Sequence, residues 1–332
     1  MSSLPRPLLI LLTAMLAFLA VLPFWGTEFY IELFAEFMIL GIFAMSLDLL
    51  IGYTGLVSFG HAAFFGLAGY LLAIITPESE AIAIWWALPV VLAGCAFAAL
   101  VIGWFSVRTS GIYFIMITLA FAQMLFYFFN ENTDLGGSDG KFIDWDPSVA
   151  IGSFNLVDLA DLNHLYYFCF VSLIAAYVIL TMVLRAPFGQ VVKGVRANEA
   201  RTKALGFATF RYKLVSFVIA GTLAGYAGFL EAVRTDFANP AYLGWHESGL
   251  VIMFVILGGI GTLYGPVLGA IVLGLLKSEM QDYVEHVNLY MGTFVILVVL
   301  FLPNGIAGLF NRPAKKKPGD EQNGEQAAAE AS

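Results

Sequence analysis

Apolar runs dominate the chain, and polar residues are confined to a few breaks between them. A helix that crosses a bilayer needs roughly 20 mostly apolar residues. Runs of that kind lie near 8–25, 29–51, 58–76, 82–105, 110–130, 163–184, 213–233 and 287–303. A longer tract, Gly249 to Leu276, contains Gly258-Gly259-Ile260-Gly261-Thr262-Leu263-Tyr264-Gly265-Pro266, a cluster of turn formers. It reads either as two short spans joined by a turn or as a re-entrant pair, because broken helices are tolerated at membrane depth when buried in protein. The first run follows Arg6, lacks a small-residue cleavage site and leads straight into the second, so it reads as a retained helix.

Composition narrows the class. Of 332 residues, 60% are hydrophobic and 12% charged, against about a quarter charged in soluble domains. A soluble fold of this length could not hide so much apolar surface, and disordered, collagen-like and disulfide-scaffold classes need other compositions. The net charge of −8 argues against a nucleic-acid binder. Cys95 and Cys169 sit in apolar runs and give no disulfide framework or metal spacing. The expected fold is all-α, a polytopic membrane helix bundle of about ten transmembrane helices, some short or broken.

Charge placement gives an orientation. Basic residues concentrate at Arg185, Lys193, Arg196, Arg201, Lys203, Arg211 and Lys213, and again at Arg312, Lys315, Lys316 and Lys317. The segment 131–162 is acidic instead, with Glu131, Asp134, Asp139, Asp144, Asp146, Asp158 and Asp161 against Lys141. The positive-inside rule places the 185–213 loop and the C-terminal tail in the cytoplasm, and alternation places 131–162 outside. Splitting Gly249–Leu276 at its glycine cluster brings parity into agreement, with both termini inside. The chain then divides into a membrane domain, 1–312, and a tail, 313–332, whose composition reads as disordered.

No enzyme signature stands out. There is no phosphate loop ending in Gly-Lys-Ser/Thr, and His246-Glu247 lacks the second His of a zinc protease. Glycines do interrupt the apolar run Ser46–Gly66, which contains Tyr53, Thr54, Gly55, Gly60, His61 and Phe64. Interrupted helices expose backbone dipoles that can bind polar ligands at depth, whereas a tight turn and close helix packing account for the same glycines. His61 either lines or gates a path or makes a packing hydrogen bond. Tyr113, Thr118 and Gln123 share the 110–130 run, and Gln123 either meets substrate or joins helices.

Glu28, Glu32 and Glu36 form a stripe at helical spacing. It reads as a solvated mouth or as a docking surface for an outside partner. Asp48 is expected in a local ion pair, with Arg108 as a candidate partner, or in contact with a cytoplasmic protein. Gly221, Gly225 and Gly228 make a small-residue packing stripe, and Glu231, Arg234 and Asp236 read as a solvated cluster. In the basic loop, apolar positions 188, 191, 192 and 195 have helical spacing between Pro187 and Gly206. They predict one short amphipathic helix suited to docking a cytoplasmic protein, or else a topology signal lying on anionic lipid.

Four ordered blocks carry a family resemblance. Gly52-Tyr53-Thr54-Gly55 with Gly60-His61-Ala62, Gly111-Ile112-Tyr113-Phe114, Ala186-Pro187-Phe188-Gly189 through Arg211-Tyr212-Lys213, and Gly258-Gly259-Ile260-Gly261-Thr262 with Gly265-Pro266 span about 35–275. Together they resemble the LivM-type permease of branched-chain amino-acid ABC transporters, in the LivH/LivM family. The resemblance implies a multi-pass protein of the bacterial inner membrane that is not itself an enzyme. It would work with a second, LivH-type permease, two cytoplasmic ATPases and a periplasmic substrate-binding protein. It implies no cofactor and no metal for this chain, since ATP is used by the partners. It also implies that 185–213, with Pro187, Phe188, Gly189, Arg196, Glu199, Lys203 and Gly206, is the ATPase-coupling segment. Glu199-Ala200 and Gly206 match the Glu-Ala-Ala…Gly coupling signature loosely, because Arg201 takes the third place and the glycine comes a residue late. The implied substrate is a branched-chain or other neutral amino acid, with urea, short-chain amides and aromatic acids as alternatives within the family. A secondary transporter or channel is the alternative of another class.

Overall fold

The computed structural model describes residues 6–77, 82–143, 147, 149–151, 154–157, 159–281, 283, 286–302 and 305–310. The 313–332 tail lies outside them, as do Arg312 and the acidic residues Asp144, Asp146 and Asp158. The helices in chain order are α1 (Arg6–Val21), α2 (Glu28–Asp48), α3 (Ala62–Ile75), α4 (Ile84–Ser106), α5 (Ile112–Glu131), α6 (Leu162–Arg185), α7 (Pro187–Ala197), α8 (Glu199–Ala204), α9 (Thr209–Thr235), α10 (Trp245–Gly258), α11 (Tyr264–Gln281), α12 (Val287–Phe301) and α13 (Gly305–Phe310). Short antiparallel strands pair β1 (Lys141–Phe142) with β4 (Phe237–Ala238) and β2 (Val149–Ile151) with β3 (Phe154–Val157). They add small ribbons to a fold expected to be wholly helical.

α2 is the central helix. Met38, Ile39, Ile42, Ala44, Met45 and Leu47 are wholly buried, and α6, α9, α10 and α11 pack around it. Its last turns widen into a π-helix over Leu49–Thr54, closed by Gly55 in the left-handed region. α9 lies against α2, α3 and α4. Its glycine stripe makes that approach possible: a Cβ at Gly221 would sit 2.7 Å from the Ala99 methyl, and one at Gly225 would sit 2.7 Å from Cβ of Cys95. The outer shell is apolar in the opposite sense. Trp86, Phe97 and Phe105 on α4 and Tyr113, Met116 and Met124 on α5 are exposed, which suits hydrocarbon surroundings rather than water.

Among the described residues, five helices are long and apolar enough to cross a membrane: Glu28–Thr54, Ile84–Ser106, Ile112–Glu131, Leu162–Arg185 and Thr209–Thr235. Others are shorter. α3 and α10 have 14 residues each, about 21 Å of helix against a hydrocarbon core of about 30 Å. The Gly249–Leu276 tract is two helices, α10 and α11, and the break falls at 259–263 within the glycine cluster. The chain between α2 and α3 turns back into the bundle. His61, at the start of α3, reaches Ser46, which lies about 12 Å along α2 from Thr54. α3 therefore begins well inside the bundle.

The bundle has two chemically distinct ends. α7 and α8 lie at the end carrying Thr54, Gly111 and Arg185, here the basic end. The opposite, acidic end carries Glu28, Glu131 and Asp161. There Asp161 caps α6 by accepting the N–H of Asn163 at 2.8 Å, which holds its carboxyl below the usual carboxylate range.

Candidate functional site

The expected pathway residues separate into three groups. Gly60, His61, Phe64 and Thr118 meet inside the bundle. Gly60 lies against the Thr118 carbonyl, and a Cβ there would collide with it. His61 is wholly buried, stacked on Phe43 at 5.6 Å, with its Nε2 2.8 Å from the Ser46 hydroxyl. Ser46 donates its single proton to the Phe43 carbonyl at 2.6 Å, so the histidine must donate through Nε2–H. Its Nδ1 is then an acceptor with no partner among the described residues. The Ala62 N–H donates to the Ser248 hydroxyl at 2.9 Å, which brings the N-terminal turns of α3 and α10 together. Ser248 gave no sequence signal, because an isolated serine in an apolar run does not disclose a partner 186 residues away.

Tyr53, Thr54 and Gly55 lie instead at the basic end. The Lys193 ammonium stands 5.7 Å over the Tyr53 ring, and the Thr54 hydroxyl donates to the Leu49 carbonyl at 2.9 Å. Tyr113 and Gln123 form the third group, on the open side of α5. Tyr113 is exposed, and Gln123 borders a shallow groove of about 760 Å³ with Met124, Tyr127, Phe128 and Glu131.

The basic segment is built as two helices rather than one. Val192 and Val195 on α7 bury against the bundle, as does Gly189, and Phe188 stacks on Tyr212 at 5.7 Å. The single helix expected to end near Gly206 breaks at Asn198. Its side chain accepts the Arg201 N–H at 2.9 Å and caps α8. Glu199 ties α8 to the start of α9, accepting from Lys213 at 2.8 Å and from the Thr209 hydroxyl at 3.1 Å. Gly206 closes α8 with a positive φ of 89°. Lys203, Leu205 and Phe207 are left exposed together.

Asp48 does not pair with Arg108, whose guanidinium lies 4.9 Å over the Trp104 ring. Its oxygens accept the N–H groups of Gly261 at 2.7 Å and Leu263 at 3.1 Å. Arg196 donates to the Gly52 carbonyl beside it.

At the acidic end the glutamate stripe divides. Glu28 is exposed, whereas Glu32 and Glu36 reach Arg234 at 3.2 and 3.5 Å. Arg234 also holds Glu231 at 2.7 Å, and these two side chains are only 9% and 6% exposed. Of the expected solvated cluster, Asp236 is exposed, whereas the Glu231 and Arg234 side chains are buried and, with the more exposed Glu32 and Glu36, form an ion network joining α2 to α9. Among the described residues, no three His, Cys, Asp or Glu side chains gather as a metal site.

Comparison with known proteins adds an independent line. A family model described as the permease component of the branched-chain amino acid transport system matches residues 29–303. The chain is 26% identical to the high-affinity branched-chain amino acid transport system permease protein LivM of Salmonella typhimurium, over 95% of this chain and 78% of that protein. LivM of Escherichia coli gives the same figures. The Escherichia coli permease protein LivH is 29% identical over 43% of this chain and 46% of its own. No solved structure matches.

Proposed function

The chain belongs to the family of branched-chain amino acid transport permeases, and from that premise we propose that it is the membrane-spanning subunit of an ABC importer for branched-chain or other neutral amino acids. It sits in the bacterial inner membrane with its basic end in the cytoplasm, crossing about ten times if the short apolar helices are counted. It needs no cofactor of its own, because ATP is consumed by separate subunits.

The observation that carries this reading is the α7–α8 pair. α7 is anchored by Val192 and Val195, and the pair leaves Lys203, Leu205 and Phe207 facing outward at the basic end. A transport protein without a nucleotide motif needs a surface through which energy arrives. An amphipathic helix fixed to the bundle on one face and open on the other supplies it. One of the importer's two ATPase subunits docks there, a second LivH-type permease completes the pathway, and a periplasmic binding protein delivers substrate at the acidic end, where Glu28 and Glu32 are exposed.

The test is uptake by liposomes containing the chain with its second permease and ATPases, supplied with the binding protein. Radiolabelled leucine, isoleucine or valine should accumulate only when ATP is supplied on the face of the membrane that bears the ATPases. Accumulation of urea, an amide or an aromatic acid in their place would overturn the substrate assignment and leave the importer reading standing.

A further inference from the structure

The turn between α10 and α11 is fastened to the end of α2 by a side chain rather than by packing alone. Asp48 is wholly buried. One carboxylate oxygen accepts from Gly261 and the other from Leu263, and both donors lie in the left-handed region, at φ 79° and 54°. These two N–H groups converge on one carboxylate only while the turn keeps that conformation. Gly52 makes the approach possible, since a Cβ there would stand 2.5 Å from the Gly261 nitrogen. The third part comes from α7. Arg196 lies over Gly55, donates to the Gly52 carbonyl, and brings Nη1 to within 3.4 Å of the place a Gly261 Cβ would take. Three elements thus meet: the π-helical end of α2, the α10–α11 turn, and the helix exposed for docking. The turn has its own bonds, with the Thr262 hydroxyl donating to the Gly259 carbonyl at 2.7 Å and accepting from the Gly265 N–H at 3.1 Å. Asp48 is what ties it to α2, and the cation beside it is supplied by α7.

We infer that Asp48, Gly52 and Arg196 form a coupling joint through which movement of α7 re-sets the α10–α11 turn during transport. This rests on the importer reading above. Asp48 and Arg196 are positioning residues in it, acting on the turn rather than on substrate. When α7 shifts, Arg196 leaves the Gly52 carbonyl and takes its charge from beside Asp48. That leaves the carboxylate buried with no cation nearby, which destabilises the closed joint and favours separation of the turn from α2. α10 and α11 are short and separate, so a change at 259–263 swings both.

The test uses the complete transporter in liposomes with Ile260→Cys as reporter. Ile260 is 43% exposed on the turn, whereas Cys95 and Cys169 are buried. Maleimide labelling at 260 should change by about fivefold or more between the nucleotide-free and the ATP–vanadate states, the scale of ordinary allosteric coupling. Asp48→Asn should abolish that change while ATP hydrolysis continues, Arg196→Gln should abolish the change as well, and the double variant should be no worse than either alone. Asp48 is too deeply buried to touch an ATPase, so an equal loss in both variants places the effect at the joint. A full labelling change in Asp48→Asn would overturn the inference. Should that variant not assemble, Gly261→Ala, whose added methyl crowds the Gly52 carbonyl and Arg196 from the turn side, decides by the same criterion. A reporter that stays silent in a transporter with normal ATP-driven uptake would reject the joint alone. Loss of ATP-driven uptake in the unmutated protein would reject the importer reading itself.

Discussion

Arg234 shows what a buried charge does in this bundle. It gathers Glu32, Glu36 and Glu231 at the acidic end, and its closest partner, Glu231, is even more buried than itself. Removing one member of such a pair leaves an uncompensated charge, which typically costs about 3–5 kcal/mol. Arg234→Ala should therefore lower the thermal stability of the detergent-solubilised protein sharply, and adding Glu231→Gln should restore much of it. Equal stability of the single and double variants would show that the pair is not the unit that matters. At this scale the sequence was only partly legible. The glutamate stripe was visible from its spacing, but its partner on α9 was not, because Arg234 is 202 residues away from Glu32. Asp48 was misread more fully. Its partners are backbone N–H groups, which leave no mark on residue identity, so the nearby Arg108 looked like the natural match.

Elements were easier to read than their joints. The apolar runs located the main helices, and the glycine cluster at 258–266 located the break between α10 and α11, because glycine and proline state local backbone needs directly. The two-helix form of the basic segment was hidden. Its apolar spacing ran from Phe188 to Val195, and nothing in that pattern required a stop. What ends α7 is Asn198, whose side chain competes for the N–H that a continuing helix would use. Asn198→Ala should remove a cap worth about 1 kcal/mol and quicken amide exchange over 200–204 roughly fivefold. Exchange there that is unchanged would mean that the Glu199–Lys213 contact, and not the cap, holds α8 in place. For His61 the sequence offered a path-lining or gating role or a packing hydrogen bond, and the bond to Ser46 beside Phe43 is of the second kind.

For the whole molecule, opposite charge at the two ends is the feature that ties fold to function. The acidic end is locked across α2 and α9 by the Arg234 network, while the basic end carries exposed helices attached to a glycine-bounded turn. An importer driven from the cytoplasm needs that asymmetry, with energy entering at one end and substrate at the other. The orientation itself is open to measurement. In intact cells, an impermeant thiol reagent should modify Ser138→Cys from outside, and Gly261→Cys should react only once the cytoplasmic face is opened. Reaction of position 261 from outside would overturn the ten-crossing topology. The central claim is that this chain moves substrate only with energy supplied by partner subunits. The most direct test is leucine accumulation in liposomes holding both permeases and the binding protein, with and without the ATPase subunits. Accumulation should require both the ATPases and ATP, and accumulation that persists in their absence would contradict the account.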